Sequence, residues 1–424
     1  MPRDAPDVPT KRRRRGASAT VDAQCGTNRY RGYTVPRVGA PIDVVTYGAL
    51  DPDEFDARYV RARRPCVLER ALDASTSDLA GASLWTNGFL RDACAGERDV
   101  RLEVRDARRG ERFGLGKYVK VESFDAFMDA FEGADGGVYL SAGGKEDAFG
   151  GPARWLTTAK TRGGERGKLP LRPTAMPKTL VPADVNLWMG RNSAPTSSGL
   201  HHDYHDNLYL LARGEKRFKI FAPADAERMY TTGAIRLVHE NGLIVYEGDE
   251  DERQQDGDVV LENGETMLER QIREARRSSE ARGDDDDDDD DDDDFPDDFD
   301  FDGVDDYDEL SDSGVAKDDD DDECATKKDD DEGVPSFSRV DSERLEQFPL
   351  FKDATPMEFT VRQGQALYLP AGWFHDVSSA ESGEGHVAFN YWFHPPPLGD
   401  PTWETKRQLW EEHMRLTVLP KFDD

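Results

Sequence analysis

Between residues 249 and 332 the chain carries 41 acidic and 9 basic side chains, including an unbroken aspartate run from Asp284 to Asp294. That imbalance of −32 nearly equals the −33 of all 424 residues, so the remainder is close to neutral. A stretch of this composition repels itself and offers too little apolar surface to build a core. Any folded domain must therefore form around it. The pattern predicts one domain in two pieces, residues 42–247 and 335–424. Residues 248–334 read as a disordered acidic insert, with at most a lone polar helix from Val260 to Arg282. Residues 1–41, polar and basic, read as a disordered tail.

Several classes of protein fit poorly. Cys25, Cys66, Cys94 and Cys324 show neither a C-x-x-C pair nor any zinc spacing, which favours a reducing compartment over a disulfide framework. No apolar run approaches the length of a membrane span, and no secretory leader is apparent. Lys11-Arg12-Arg13-Arg14-Arg15 reads as a nuclear import signal, a nucleic-acid patch or a solvated basic tail. The expected location is nucleus or cytoplasm.

Within the foldable pieces, short alternating or apolar runs dominate: Pro65–Leu68, Val100–Val104, Gly137–Leu140, Val185–Met189, Leu208–Arg213, Lys216–Phe221, Ile235–Tyr246, Met357–Val361, Gln365–Leu369 and His386–Trp392. Helical periodicity is rarer. Phe124, Phe127, Met128 and Phe131 are spaced to share one helix face, and a last helix starts after Asp400 with Pro401 in its first turn. Many short strands with few helices predict a mostly β sandwich or barrel with flanking helices.

The chemistry concentrates in Ser197-Ser198-Gly199-Leu200-His201-His202-Asp203-Tyr204-His205-Asp206-Asn207. On a strand, positions i and i+2 point to the same side, so His201 and Asp203 present an imidazole and a carboxylate together. Two imidazoles and a carboxylate on one face, with positions left open, form the ligand set of non-haem iron(II) oxygenases. The third ligand must come from elsewhere. His205 qualifies only if the strand continues unbroken. His375 follows a strand and a Pro370-Ala371-Gly372 turn. Lys216 adds a second anomaly, for it shares the apolar face of its strand with Phe218 and Ile220. A buried ammonium is costly without a partner. Either a bound dicarboxylate meets it, or the amine snorkels to water.

These residues resemble the JmjC/cupin-like hydroxylases, the group of factor-inhibiting-HIF and the small JmjC hydroxylases. The resemblance lies in Leu200-His201-x-Asp203-x-x-x-Asn207, the Gly214-Glu215-Lys216-Arg217 turn, the segment Gly364 to His375, and Phe389-Asn390-Tyr391-Trp392. Arg64-Pro65-Cys66-Val67 extends it upstream. It implies a double-stranded β-helix, the jelly-roll barrel of cupins. It further implies that His201, Asp203 and His375 bind Fe(II), which removes His205 from the ligand set. Lys216 would meet the distal carboxylate of the cosubstrate 2-oxoglutarate. Ser198 and Tyr139 would add hydrogen bonds to it, Asn207 and Asn390 would line the same pocket, and Trp373, Phe374 and Trp392 would shape it.

The function so implied is a 2-oxoglutarate-dependent dioxygenase that hydroxylates a protein side chain, or less readily RNA, with release of succinate. An N-methyl-lysine or N-methyl-arginine demethylase is the alternative within the class. Outside it stands a non-catalytic protein whose acidic insert grips basic partners. No membrane partner is expected.

Overall fold

Alternating side chains in the predicted strands require two covers, and the chain supplies one on each side of a nine-stranded sheet. The computed structural model describes residues 28–104, 117–133, 138–142, 149–159, 166–191, 195–248, 252–261, 263–282, 334–379 and 382–422. Strand order in the large sheet is Asp43–Thr46, Cys66–Glu69, Ala366–Leu369, Asp206–Arg213, His386–His394, Val181–Gly190, Val138–Ala142, Arg98–Val104 and Lys117–Ser123. One of its faces contributes Leu187, Leu208, Leu210, Phe389 and Tyr391 to the apolar cluster that also holds the buried side of the helix Phe124–Glu132. Ser123 caps that helix by accepting from Ala126 N–H. Phe124, Phe127, Met128 and Phe131 are all buried, as their spacing predicts.

The other face looks into a barrel closed by a smaller sheet. There His201–His202, Phe374–Ser379, Glu215–Phe221 and Met357–Arg362 lie side by side, with Thr196–Ser197 also paired to Phe374–Ser379. Leu211, Leu367 and Ala388 of the large sheet meet Phe218, Ile220, Met357 and Val361 of the small one. The result is a double-stranded β-helix, mostly β with helices outside.

Two of the expected boundaries need correction. Residues 28–41, expected in a disordered N-terminal tail, are part of the folded domain. From Asn28 the chain lies on the barrel: Arg29 N–H donates to the Val238 carbonyl at 2.9 Å, and Val35 and Ala40 are buried beside Trp373. Polar composition masked a few apolar anchors, Tyr30, Tyr33 and Val35, that seal a barrel end without regular secondary structure. The acidic insert is likewise not featureless over its first part. The helix Met267–Arg282 docks on the C-terminal helix Trp403–Thr417, burying Leu268 and Ile272 against Val181 and Trp410. Its polar face hid a narrow apolar stripe. Residues 283–333, with the aspartate run, and residues 1–27, with the basic cluster, lie outside the described residues. No helix among the described residues is long and apolar enough to cross a membrane.

Candidate metal centre

Antiparallel pairing sets His201 directly opposite His375, so residues far apart in sequence become cross-strand neighbours. Their ring centroids are 4.3 Å apart. Asp203, just past the end of the short His201–His202 strand, completes the group: its Oδ1 lies 4.0 Å from His201 Nε2 and its Oδ2 3.7 Å from His375 Nε2. One donor atom from each residue lies within 4.8 Å of the other two. That spacing suits a single cation bound at roughly 2.0–2.2 Å by each ligand.

Backbone carbonyls orient both rings. His201 Nδ1 is 3.0 Å from the Gly199 carbonyl and His375 Nδ1 is 2.9 Å from that of Trp373. A hydrogen bond there puts the proton on Nδ1 and leaves the Nε2 lone pair for a metal. Burial pushes His375 down to about 4, which keeps it neutral. The turn before His375 depends on Gly372, whose φ is +76° and where a Cβ would sit 1.8 Å from the Gly242 carbonyl oxygen. The donor set is therefore two imidazoles and a carboxylate, which fits a divalent metal.

The remaining histidines nearby serve the core. His202 points the other way, with Nε2 2.7 Å from the Tyr246 hydroxyl. His205 stacks on Trp392 at 5.2 Å and does not join the cluster. Burial holds both at about 4.

Strand register also measures the pocket. Ile220 pairs with His375, and four residues away Lys216 pairs with Ser379, about 13 Å along the strand. Lys216 is 4% exposed and its Nζ donates to Ser379 Oγ at 2.5 Å, so the snorkelling alternative fails. No described carboxylate lies in salt-bridge range of it, and burial lowers its pKa to about 8. Tyr139 packs beside it, with the ammonium 5.7 Å from the ring centroid. Opposite, the large sheet turns Asn207, Tyr209, Asn390 and Trp392 inward, where Tyr209 meets Phe218 at 5.5 Å. Asn390 Oδ1 accepts from Trp188 Nε1 at 2.9 Å. Asn207 Oδ1 and Trp392 Nε1 are buried with no hydrogen-bond partner among the described residues.

Three expected pocket residues are placed differently. Trp373 is buried behind the site, stacked on Tyr33 at 6.3 Å, with Nε1 donating to the Arg63 carbonyl. Phe374 faces the outer core beside His202. Ser198 Oγ is occupied by the Val377 N–H at 3.1 Å and the Gly199 carbonyl at 3.0 Å. Sequence reading missed Ser379, Tyr209 and Phe337. The last stacks flat on His201, with centroids 4.8 Å apart and planes at 9°. Ser379 and Tyr209 carry the inward parity of His375 and Asn207, a signal available in the sequence. Phe337 follows the acidic segment and has no such local signal.

A barrel whose small sheet gathers two imidazoles and a carboxylate, with a buried lysine further along the same inward face, defines the class of mononuclear metal oxygenases. Residues 52–399 match the cupin-like domain family, and the chain belongs to it, among the JmjC-type 2-oxoglutarate-dependent oxygenases. It is 28% identical to JmjC domain-containing protein 4 of Schizosaccharomyces pombe, over 90% of this chain and 92% of that one. It is 28% identical to lysine-specific demethylase JMJ32 of Arabidopsis thaliana, over 81% and 79%. To the human bifunctional peptidase and (3S)-lysyl hydroxylase JMJD7 it is 23% identical, over 81% of each chain.

Proposed function

We propose that this chain uses Fe(II), held by His201, Asp203 and His375, and 2-oxoglutarate to hydroxylate a protein side chain. The observation that carries the reading is the pairing of a three-donor cluster with a buried ammonium, on neighbouring strands of the small sheet, that meets no carboxylate among the described residues. Iron, when bound, supplies the redox chemistry that couples decarboxylation of 2-oxoglutarate to oxygen insertion into a C–H bond.

The chain's own groups bind and orient. Lys216, pinned by Ser379, faces the distal carboxylate, and Tyr139 walls that end. Asn207 and Asn390 offer amides to the near end of the cosubstrate. Ser198 joins only after its hydroxyl proton turns from the Gly199 carbonyl. Phe218, Ile220 and Trp188 exclude water from the cavity between, which strengthens the lysine–carboxylate attraction.

Demethylation of an N-methylated lysine or arginine is the second reading, favoured by the likeness to a relative named as a lysine-specific demethylase. For either reaction, a basic polypeptide is the partner that complements the acidic segment in charge. The Lys11–Arg15 cluster suits a nuclear protein, and a cytoplasmic one equally lacks need of it.

The deciding experiment incubates the enzyme with Fe(II), 2-oxoglutarate and co-purifying proteins, then follows succinate, formaldehyde and peptide mass. Succinate with one added oxygen on a peptide supports hydroxylation, and formaldehyde supports demethylation. If neither appears, and Asp203→Ala retains all partner binding, the acidic binding protein becomes the better account.

A further inference from the structure

Arg63 and Asp206 have no exposed side-chain surface, yet neither touches the cavity chemistry described above. Arg63 Nη1 donates to Asp206 Oδ2 at 2.8 Å and Nη2 to Oδ1 at 2.5 Å, a bidentate pair. The Nε of Arg63 donates to the Asn241 carbonyl at 2.8 Å. The Asp206 carboxylate also accepts from the Tyr368 hydroxyl at 2.7 Å and the Ala371 N–H at 2.9 Å. Trp373 Nε1 returns a bond to the Arg63 carbonyl.

The positions of these partners are informative. Asp206 lies three residues after Asp203. Ala371 and Trp373 lie in the turn that delivers His375, and Gly372 N–H donates to the Asp203 carbonyl at 2.9 Å. One carboxylate is thus tied to both chain segments that bring ligands to the cluster, while Arg63 clamps it from the N-terminal part of the fold. Buried ion pairs are poor sources of stability, because apolar replacements are often neutral. Fixing a geometry is the better-attested use of such a pair, and here the geometry fixed is that of two ligand segments.

We infer that Arg63 and Asp206 are positioning residues that set the metal affinity of the His201–Asp203–His375 cluster. The inference rests on the metal-centre reading. Its test uses full-length protein stripped of metal, titrated with Co(II) and followed by the visible absorption of the bound ion, alongside thermal unfolding without metal. Asp206→Asn should weaken Co(II) binding 10- to 100-fold, the range for lost supporting contacts around a metal site. The double variant Arg63→Met/Asp206→Asn removes the stranded charge. It should recover unfolding temperature but keep Co(II) affinity at least tenfold low, with an altered Co(II) spectrum. Tyr368→Phe, which keeps the ion pair and loses one hydrogen bond, covers the case in which the charge variants do not fold, and should bind Co(II) at least threefold more weakly. Affinity that returns to the native value together with stability, or an unchanged affinity and spectrum in Tyr368→Phe, would overturn the assignment and leave a merely structural pair. Failure of the native protein to bind Co(II) would instead remove the metal centre itself.

Discussion

Replacing Lys216 with methionine separates two consequences of burying an amine. In the ligand-free fold the ammonium has lost its hydration and, among the described residues, gained the Ser379 hydroxyl and the Tyr139 ring face; burial brings its pKa down to about 8. The unfolded chain keeps the ordinary lysine value near 10.4. Between these pH values the unfolded state holds more protons, so stability rises with pH. Below about pH 8 the penalty is complete, on the order of 3 kcal/mol at about 1.4 kcal/mol per pH unit. Methionine fills a similar volume without the charge. After allowing about 1 kcal/mol for the lost hydrogen bond, Lys216→Met should stabilise the metal-free, ligand-free protein by roughly 2 kcal/mol at pH 7 and flatten the rise from pH 8 to 10. Cosubstrate binding should move oppositely. Removing the partner of a desolvated carboxylate costs roughly 2–5 kcal/mol, so 2-oxoglutarate affinity should fall at least 30-fold. In the native protein the apparent Kd should increase up to tenfold per unit above about pH 8, as the amine must first be protonated. Urea unfolding across pH and calorimetric titration with 2-oxoglutarate measure both arms. A methionine variant that is less stable than the native protein, or that binds 2-oxoglutarate equally well, would refute the reasoning.

Three further outcomes are expected. Because burial holds His202 and His205 at about 4, the unfolded chain takes up protons first, and stability should be lost as pH falls from 6.5 to 4. Each histidine accounts for up to about 3 kcal/mol, and His205→Phe, which retains the stack on Trp392, should remove its share in acid titrations of unfolding. Ile272→Asp should detach the helix Met267–Arg282 at a cost of about 2–4 kcal/mol of local stability, seen as lost amide-exchange protection. Arg276→Ala, which breaks only an exposed pair with Glu412, should change it by less than about 0.5 kcal/mol. Phe337→Ala should loosen His201 and weaken Co(II) binding several-fold, in line with about 1 kcal/mol for an aromatic contact; unchanged binding would show that the stack is incidental.

Much of the site could be read from local pattern. The two-residue strand repeat puts His201 and Asp203 on one side, and the same repeat exposes Lys216 as a cation on an apolar face. Helical spacing marks Phe124, Phe127, Met128 and Phe131. Motif resemblance then supplies His375, which pattern alone leaves open beside His205. Ser379 and Tyr209 obey the same parity as residues that were chosen, yet nothing in a hydroxyl on a strand singles it out.

Other features exist only once the chain has closed on itself. Whether His375 meets His201 depends on the register of strands far apart in sequence, which the packing of both sheets fixes collectively. Arg63 reads as one more arginine before a proline until Asp206 is folded against it. Phe337 reaches His201 only because the chain re-enters the small sheet beside that ligand. Likewise, the segment from Asn28 and the helix at Met267–Arg282 look too polar to pack, and they dock because the barrel and the C-terminal helix present ready-made apolar surfaces to their few anchors. Sequence encodes periodicity and local chemistry, since these need only neighbours within a turn or a strand. Convergence, burial and partnership belong to the tertiary structure, because each is a sum over contacts that no local window contains.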